Sequence, residues 1–531
     1  MRPRNPALKM KPSRLFLVLL LVLAIGCLPL SAQEKIYFQA DLMQYDEDVM
    51  PGVEQYTGHV TFRSGETVGY CERADHYRAE NLLHAYGNPV KVHVNDSVTL
   101  FGKEIIYDGN ARLVTIYYDV LLTDKTATLT TDSMTYDMNA HMGYYICGGK
   151  MTSEKNVLTS QKGYYYTDSK LAQVSDNVRF HNETYTGDCE SSAFNTQSEI
   201  LFFTSRTHLY SSENEAFTDD GWYDTHEDII LLVGNAILHN QDQHISGDSL
   251  YFDNNIKYGQ GWNNVRLIDS VKNIIVDGNY LEYLDRDFAI STDSCMLTLI
   301  NEGDSLFLHS DTLRVLFDTA QSPKEIYAYN HAKFFRNDMQ GACDSMVYIV
   351  EDSIVTMLYN PVVWSGENQL TADTIRFHIV DSVNIDVFLL RNAFIASSLF
   401  RETEFNQIKG LSITGKIKDR ELYRVDVIGN AECLYFIQEQ DSSLIGINTA
   451  MTSEMTIFIQ DEEIQSIRFY NAPDGILHPD DDLAADDRRL KDFTWLNAYR
   501  PKKVADIFTM PVERPQQEKK NEDNNENDEE P

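Results

Sequence analysis

The sequence predicts an all-β protein, an elongated antiparallel β-jelly roll built from units of about 30 residues, with a short helical or disordered C-terminal tail. Three observations carry that reading. A short phrase recurs at constant pitch, apolar and polar residues alternate with period two inside each copy, and no long helical periodicity is found between residues 36 and 400. Thirty Tyr and 25 Phe add to it, because aromatic side chains fit a pleated, half-buried surface.

The elements follow in chain order. Arg2, Arg4, Lys9, Lys11 and Arg14 precede "LFLVLLLVLAIGCLPLSAQ", a basic flank, a short apolar run and a small-residue exit. This is the pattern of a secretory signal peptide over residues 1–32, cleaved after Ala32. Lipoprotein processing at Cys27 is the alternative, since "AIGC" loosely resembles a lipobox. Either route exports the mature chain.

From residue 33 the repeat begins. Its first phrase reads "GKEIIY" (102–107), "TDSMTY" (131–136), "GDSLYF" (247–252), "CDSMVY" (343–348) and "ADTIRF" (372–377), with weaker copies between. Each places two apolar residues on one strand face, as Met134 and Tyr136 do with Thr135 between them. A second phrase interleaves: "GHV" (58–60), "NPV" (88–90), "DNV" (176–178), "GNA" (234–236), "NNV" (263–265) and "NPV" (360–362). Asn-Pro and Gly-Asn read as turns ahead of alternating strands such as "NPVKVHV" and "NNVRLID". Each unit therefore holds at least two short strands with one apolar face. The most polar interruption, "SSENEAFTDDGWYDTHED" (211–228), divides the repeat into a first part, residues 33–215, and a second, residues 216–470.

The strict pitch fades after about residue 400. "RRLKDFTWLNAYRPKKVADIF" then suggests a short, helix-prone cap or docking segment within residues 471–511. Residues 512–531 are an acidic tail of disordered composition. Six cysteines follow Ala32, scattered without close pairs. They read as small buried hydrophobes, although an even count in an exported chain permits disulfides. Cys71, Cys189 and Cys343 each stand two residues after a glycine, which suggests a shared packing position.

Units such as "GNPVKVHVNDSVTLFGKEIIYDGNARLV" and "VGNAILHNQDQHISGDSLYFDNN" resemble the LptA/OstA family of lipopolysaccharide-transport proteins, over roughly residues 36–400. The resemblance implies a β-jelly-roll slab with an apolar interior that shelters acyl chains. It also implies lipopolysaccharide (its lipid A acyl chains) as cargo. The implied partners are other jelly-roll components of a bridge across the periplasm and an outer-membrane translocon, met by strand addition. The chain is two to three times the length of a single short jelly roll, so one continuous roll and two in tandem both remain open. The residue alternation nominates Val90, Val92, Val94, Ile105, Tyr107, Leu250, Phe252, Val265 and Leu267 as lining candidates.

The formal charge of −36 argues against nucleic acid, which selects Lys/Arg surfaces. It also offers little to lipid A phosphates, so the headgroup is expected to stay in solvent. There is no G-x-S-x-G, H-E-x-x-H or complete G-x-x-x-x-G-K-[ST] sequence, and no catalytic residue, cofactor or metal is expected. "HNQDQH", with His239 and His244, reads as a hairpin tip rather than a metal site. Two other architectures or roles stay open on the sequence: a parallel β-helix acting on polysaccharide, and a surface scaffold or adhesin.

Overall fold

In "GWNNVRLID" the two asparagines bend a strand without ending it. The computed structural model describes residues 35–509, apart from 241, 301–303, 382, 400–401, 420, 439–443 and 461–462. The signal-peptide and acidic-tail expectations therefore lie outside the described residues. Tyr258–Asp269 is one strand, within which Asn263 and Asn264 both adopt left-handed backbone, φ 55° and 53°. The pairing register slips there, two residues facing one on the neighbouring strand between Trp262 and Val265. This is a bulge that kinks the strand. The double left-handed step recurs at Tyr118–Asp119, Asp176–Asn177, Gly234–Asn235, Asn330–His331, Tyr359–Asn360 and Arg391–Asn392. Asn and Asp are the side-chain-bearing residues that tolerate this conformation best.

The reading of these phrases as turns is thus corrected. They are corners in the middle of strands or, at 330–331 and 359–360, between two collinear short ones, and the hairpin turns lie elsewhere, at tips such as 95–98, 124–127 and 254–257. The other repeated phrase faces the corner from the next strand. Asp248 accepts from Asn264 Nδ2 at 3.2 Å, Asp219 from Asn235 Nδ2 at 2.6 Å and Asp373 from Asn392 Nδ2 at 3.0 Å. "GDSLYF" and "NNV" are two sides of one corner, and the pitch of about 30 residues is two bent strands.

Every strand pairing among the described residues is antiparallel, for example Leu113–Thr123 with Thr128–Asp137 and Ile385–Leu399 with Glu404–Lys418. The all-β antiparallel jelly-roll class is the one that forms, and a parallel β-helix is excluded. Because each strand bends once, its halves belong to two walls whose inward faces meet. In residues 295–457 one apolar cluster draws Leu308, Phe334, Val363 and Cys433 from one wall. It draws Leu313, Met357, Ile375, Leu389 and Val427 from the other.

The chain divides into two compact units. The first comprises residues up to Glu183 with Ala193–Gln197; the second comprises Thr184–Ser192 and everything from Ser198 onward. The polar stretch 211–228 lies inside the second unit, where Glu215–Thr218 and Asp220–Asp224 are paired strands. Among the described residues no disulfide forms, and Cys71, Cys295, Cys343 and Cys433 are buried. Burial raises the Cys71 thiol to about 12 and the Cys433 thiol to about 11. The glycine two residues before Cys71 lies under the Phe62 ring, where a Cβ would fall 1.9 Å from Cζ. Gly341 stands in the same relation to Phe334 two residues before Cys343.

Residues 479–509 form extended backbone and short 3-10 turns instead of a regular helix. They cross the outer face of one wall of the second unit. Buried Gln407 donates to Arg488 O and accepts from Leu490 N; Gln369 does the same with Thr494 O and Leu496 N. Each glutamine thus imitates the two hydrogen bonds of a strand neighbour. Leu496 and Tyr499 cover Trp364, while Leu483 and Leu490 cover Leu434 and Phe436.

Candidate functional site

The inward faces of the two units are built alike and closed differently. In the first unit one row runs Phe62, Gly69, Val92, Leu100, Leu122, Leu129, Met151, Leu158 and Phe180, each opposite the next on neighbouring strands. No side chain in that row is more than 3% exposed. On the facing wall Leu83, Tyr107, Val114, Tyr136 and Tyr165 are equally buried. Tyr145 fills the space above two glycines, with Gly149 and Gly163 each having a Cβ position 2.5 Å from its ring. This interior is filled by its own side chains.

In the second unit the corresponding row is Leu238, Ile245, Leu267, Val276, Leu297 and Leu308. All but Leu308 are only half-buried. On the facing wall Phe252, Tyr283, Ala289, Val315, Ile326, Tyr348 and Val355 are half-buried as well. Below them, beside the corner, the crease is closed by Leu232, Ala236, Leu250, Val265, Leu281 and Cys295. Gly261 shows the depth of that closure, since a Cβ there would meet Val265 of one wall and Leu250 of the other. Between Leu238 and Leu308 the second unit therefore has a buried crease and apolar walls that water reaches, a trough, and the row closes again at Phe334 and Val363. Six strands cross the row from Leu238 to Leu308, which at about 4.8 Å per strand gives a length of about 24 Å.

The mouth of the trough is polar and acidic. Gln243 Nε2 donates to Asp269 Oδ2 at 3.1 Å on one lip, and Tyr283 Oη donates to Asp285 Oδ1 at 2.9 Å on the other. Burial opposes ionisation of Asp269, but the Lys272 amide and Gln243 outweigh it and lower its pKa. Burial and Asp285 push the Tyr283 hydroxyl up to about 12.

The lips of the first unit are tied together. Asp124, on the hairpin tip of one wall, has no exposed side-chain surface. It accepts from Tyr165 Oη at 2.5 Å and Lys170 Nζ at 2.9 Å, both on the facing wall. Thr126 and Thr196 hydroxyls stand 2.8 Å apart across the same gap, and Ser153 Oγ donates to Thr126 O at 2.9 Å. Burial works against the Asp124 carboxylate, and the bonds from Tyr165, the Thr126 amide, Lys170 and the Ala127 amide more than offset it, so its pKa is lowered.

The predicted lining residues divide between the two environments. Val90, Val92, Val94, Ile105 and Tyr107 face the closed interior of the first unit, Leu250 and Val265 the crease of the second, and Phe252 and Leu267 the open trough walls. Sequence reasoning missed Val276, Leu297, Tyr283 and Val315, whose alternation was legible but whose partial exposure was not. His239 and His244 face each other across the hairpin tip with ring centroids 6.0 Å apart, and His239 Nε2 pairs with Glu215 at 2.9 Å. Among the described residues no three His, Cys, Asp or Glu side chains are grouped to hold a metal ion, and no helix is long and apolar enough to cross a membrane.

Among the described residues, free strand edges lie at two places. Tyr37–Gln39 and Leu42–Tyr45 pair only with Val53–Ser64, leaving Leu42, Met43 and Tyr45 exposed. Glu463–Tyr470 and Asp474–His478 pair only with Leu444–Gln460, leaving Ile476 and Leu477 exposed.

Two walls of bent antiparallel strands around an apolar interior define an elongated β-jelly roll. Residues 33–190 match the family model of the OstA-like proteins, and residues 302–383 that of the LptA/(LptD N-terminal domain) LPS transport proteins. These matches support placing the chain with the LptA/OstA-like lipopolysaccharide-transport proteins, as the sequence resemblance implied; they cover somewhat under half of its length. Curated proteins gave no match. Among solved structures the chain is similar to LptH of Pseudomonas aeruginosa, the LptA homologous periplasmic component of its lipopolysaccharide transport device. That likeness has 20% identity over 20% of this chain and 77% of that one, with a TM-score of 0.18.

Proposed function

We propose that this protein is an exported, periplasmic component of a lipopolysaccharide-transport bridge, and that it carries acyl chains in the trough of its second unit without catalysing a reaction. The observation behind this reading is the half-exposed apolar row Leu238, Ile245, Leu267, Val276 and Leu297 above a buried crease. Apolar wall left open to water is costly unless something covers it, and each methylene buried there contributes about 0.8 kcal/mol. At the mouth the nearest cations, Lys272 and Arg286, are paired with Asp269 and Asp285 at 3.6 and 3.7 Å, and in this reading the headgroup stays in solvent. The free strand edges at 37–45 and 463–478 suit addition of strands from neighbouring jelly-roll components and an outer-membrane translocon.

The test is site-specific photocrosslinking in cells. A crosslinking residue at Val276 or Leu267 is expected to capture lipopolysaccharide, whereas one at outward-facing Arg266 is not. Equal capture from both faces, or none from the trough, would remove the proposal.

A further inference from the structure

The contrast between the filled first unit and the open stretch of the second, from Leu238 to Leu308, needs a physical cause. The first unit is filled by its own side chains, Phe62, Tyr145, Tyr165 and Phe180 among them, and its lips are joined as well. What distinguishes the first unit is the polar bridge between its lips: Asp124, Thr126 and Ser153 on one side, Tyr165, Lys170 and Thr196 on the other. Apolar contacts between two walls exchange for contacts between each wall and an alkyl chain at little net cost, because both keep the same surface out of water. A buried carboxylate with its ammonium and hydroxyl partners has no such substitute. Parting the lips leaves these groups to be rehydrated together or not at all.

We propose that the first unit is a gated compartment, in which this six-residue clasp holds the lips shut and acyl chains enter only when it opens. The inference rests on the reading that the protein carries acyl chains, and it adds that the two units hold them under different conditions. The second unit is loaded freely; the first is loaded only in the unclasped state. The clasp is placed to do this because it joins hairpin tips far apart in sequence. Asp124 is 41 residues from Tyr165 and 46 from Lys170, and Thr126 is 70 from Thr196.

A reversible lock tests the gate. Thr126→Cys with Thr196→Cys places two thiols where hydroxyls now stand 2.8 Å apart, within reach of a disulfide after small adjustment. Cys147→Ser removes the exposed native thiol. The full chain is loaded with lipopolysaccharide bearing a diazirine in an acyl chain, irradiated, and its crosslinked peptides assigned to each unit by mass spectrometry. Oxidation is expected to lower labelling near Leu122 and Met151 by about tenfold while labelling near Leu267 and Val276 is unchanged, and reduction restores it. Asp124→Asn with Lys170→Met, checked for retained folding by its thermal transition, is expected to raise first-unit labelling. First-unit labelling that is equal in the oxidised and reduced states, or absent from both, overturns the gate. Absence of labelling from the second unit as well would instead overturn the acyl-carrier reading on which it rests.

Discussion

Replacing Val276 by glutamate separates a binding wall from a packing wall. Val276 stands midway along the trough row, opposite Leu267 on one side and Leu297 on the other, and is half-buried. In the empty protein its carboxylate reaches water through the open mouth, so the expected loss of stability is about 1 kcal/mol. With cargo in place that carboxylate faces alkyl chain. Displacing about four methylenes from the row removes about 3 kcal/mol at 0.8 kcal/mol each, which weakens binding by about a hundredfold. Val92→Glu is the matched control. It lies in the equivalent row of the first unit, is 1% exposed, and has no route to water. There the burial penalty of several kcal/mol falls on the fold itself, against a total stability of about 5–15 kcal/mol for a typical domain. Thermal unfolding of the empty variants and titration with detergent-dispersed lipopolysaccharide give both quantities. The reasoning fails if Val276→Glu binds as the parent does, or if it lowers the transition temperature as far as Val92→Glu.

Four further outcomes follow from particular contacts. Asp124→Ala leaves Lys170 and Tyr165 without their shared acceptor and is expected to destabilise the first unit by about 3–5 kcal/mol, read by denaturant unfolding. Because the native pKa of Asp124 is depressed, its contribution is complete above about pH 4, the unfolded value, and is lost as pH falls through the lower native one; Asp124→Asn should flatten that part of an acid-unfolding curve. Gly163→Ala drives a methyl into the Tyr145 ring and should cost about 1–3 kcal/mol in the same assay, with Gly52→Ala, which meets no neighbour but takes left-handed φ, as a comparison for backbone strain alone. Gln369→Ala removes both hydrogen bonds to the C-terminal strap, at about 1–3 kcal/mol, and should speed amide exchange at Leu496 while exchange in Val53–Ser64 is unchanged.

The sequence made the inward rows legible because period two is local. Val90, Val92 and Val94 alternate with Lys91 and His93, and the structure buries the first set while leaving the second half-exposed. The corners were visible but misread. Asn-Asn and Gly-Asn are turn dipeptides in most contexts, and only the pairing register shows that strands continue through them. The difference between a filled unit and an open one was not legible. It depends on Asp124 meeting Tyr165 and Lys170, and on Thr126 meeting Thr196, across the mouth, and "TDKTAT" looks no different from other polar tips such as "HVNDSV". The glutamines under the C-terminal strap were hidden for the same reason. Gln369 and Gln407 look like ordinary polar strand residues until a segment more than 80 residues away lies over them.

The mid-strand bend has a bearing on how such a chain changes length. Most hairpins bring their own pair of left-handed residues, with a facing aspartate at Asn235, Asn264 and Asn392, so the angle between the walls is written afresh in those copies. Gain or loss of a whole hairpin pair would therefore keep the profile of the channel while altering its reach, much as slices are added to a loaf. Gain or loss of a single strand would reverse the direction of everything after it, and the lips would no longer line up.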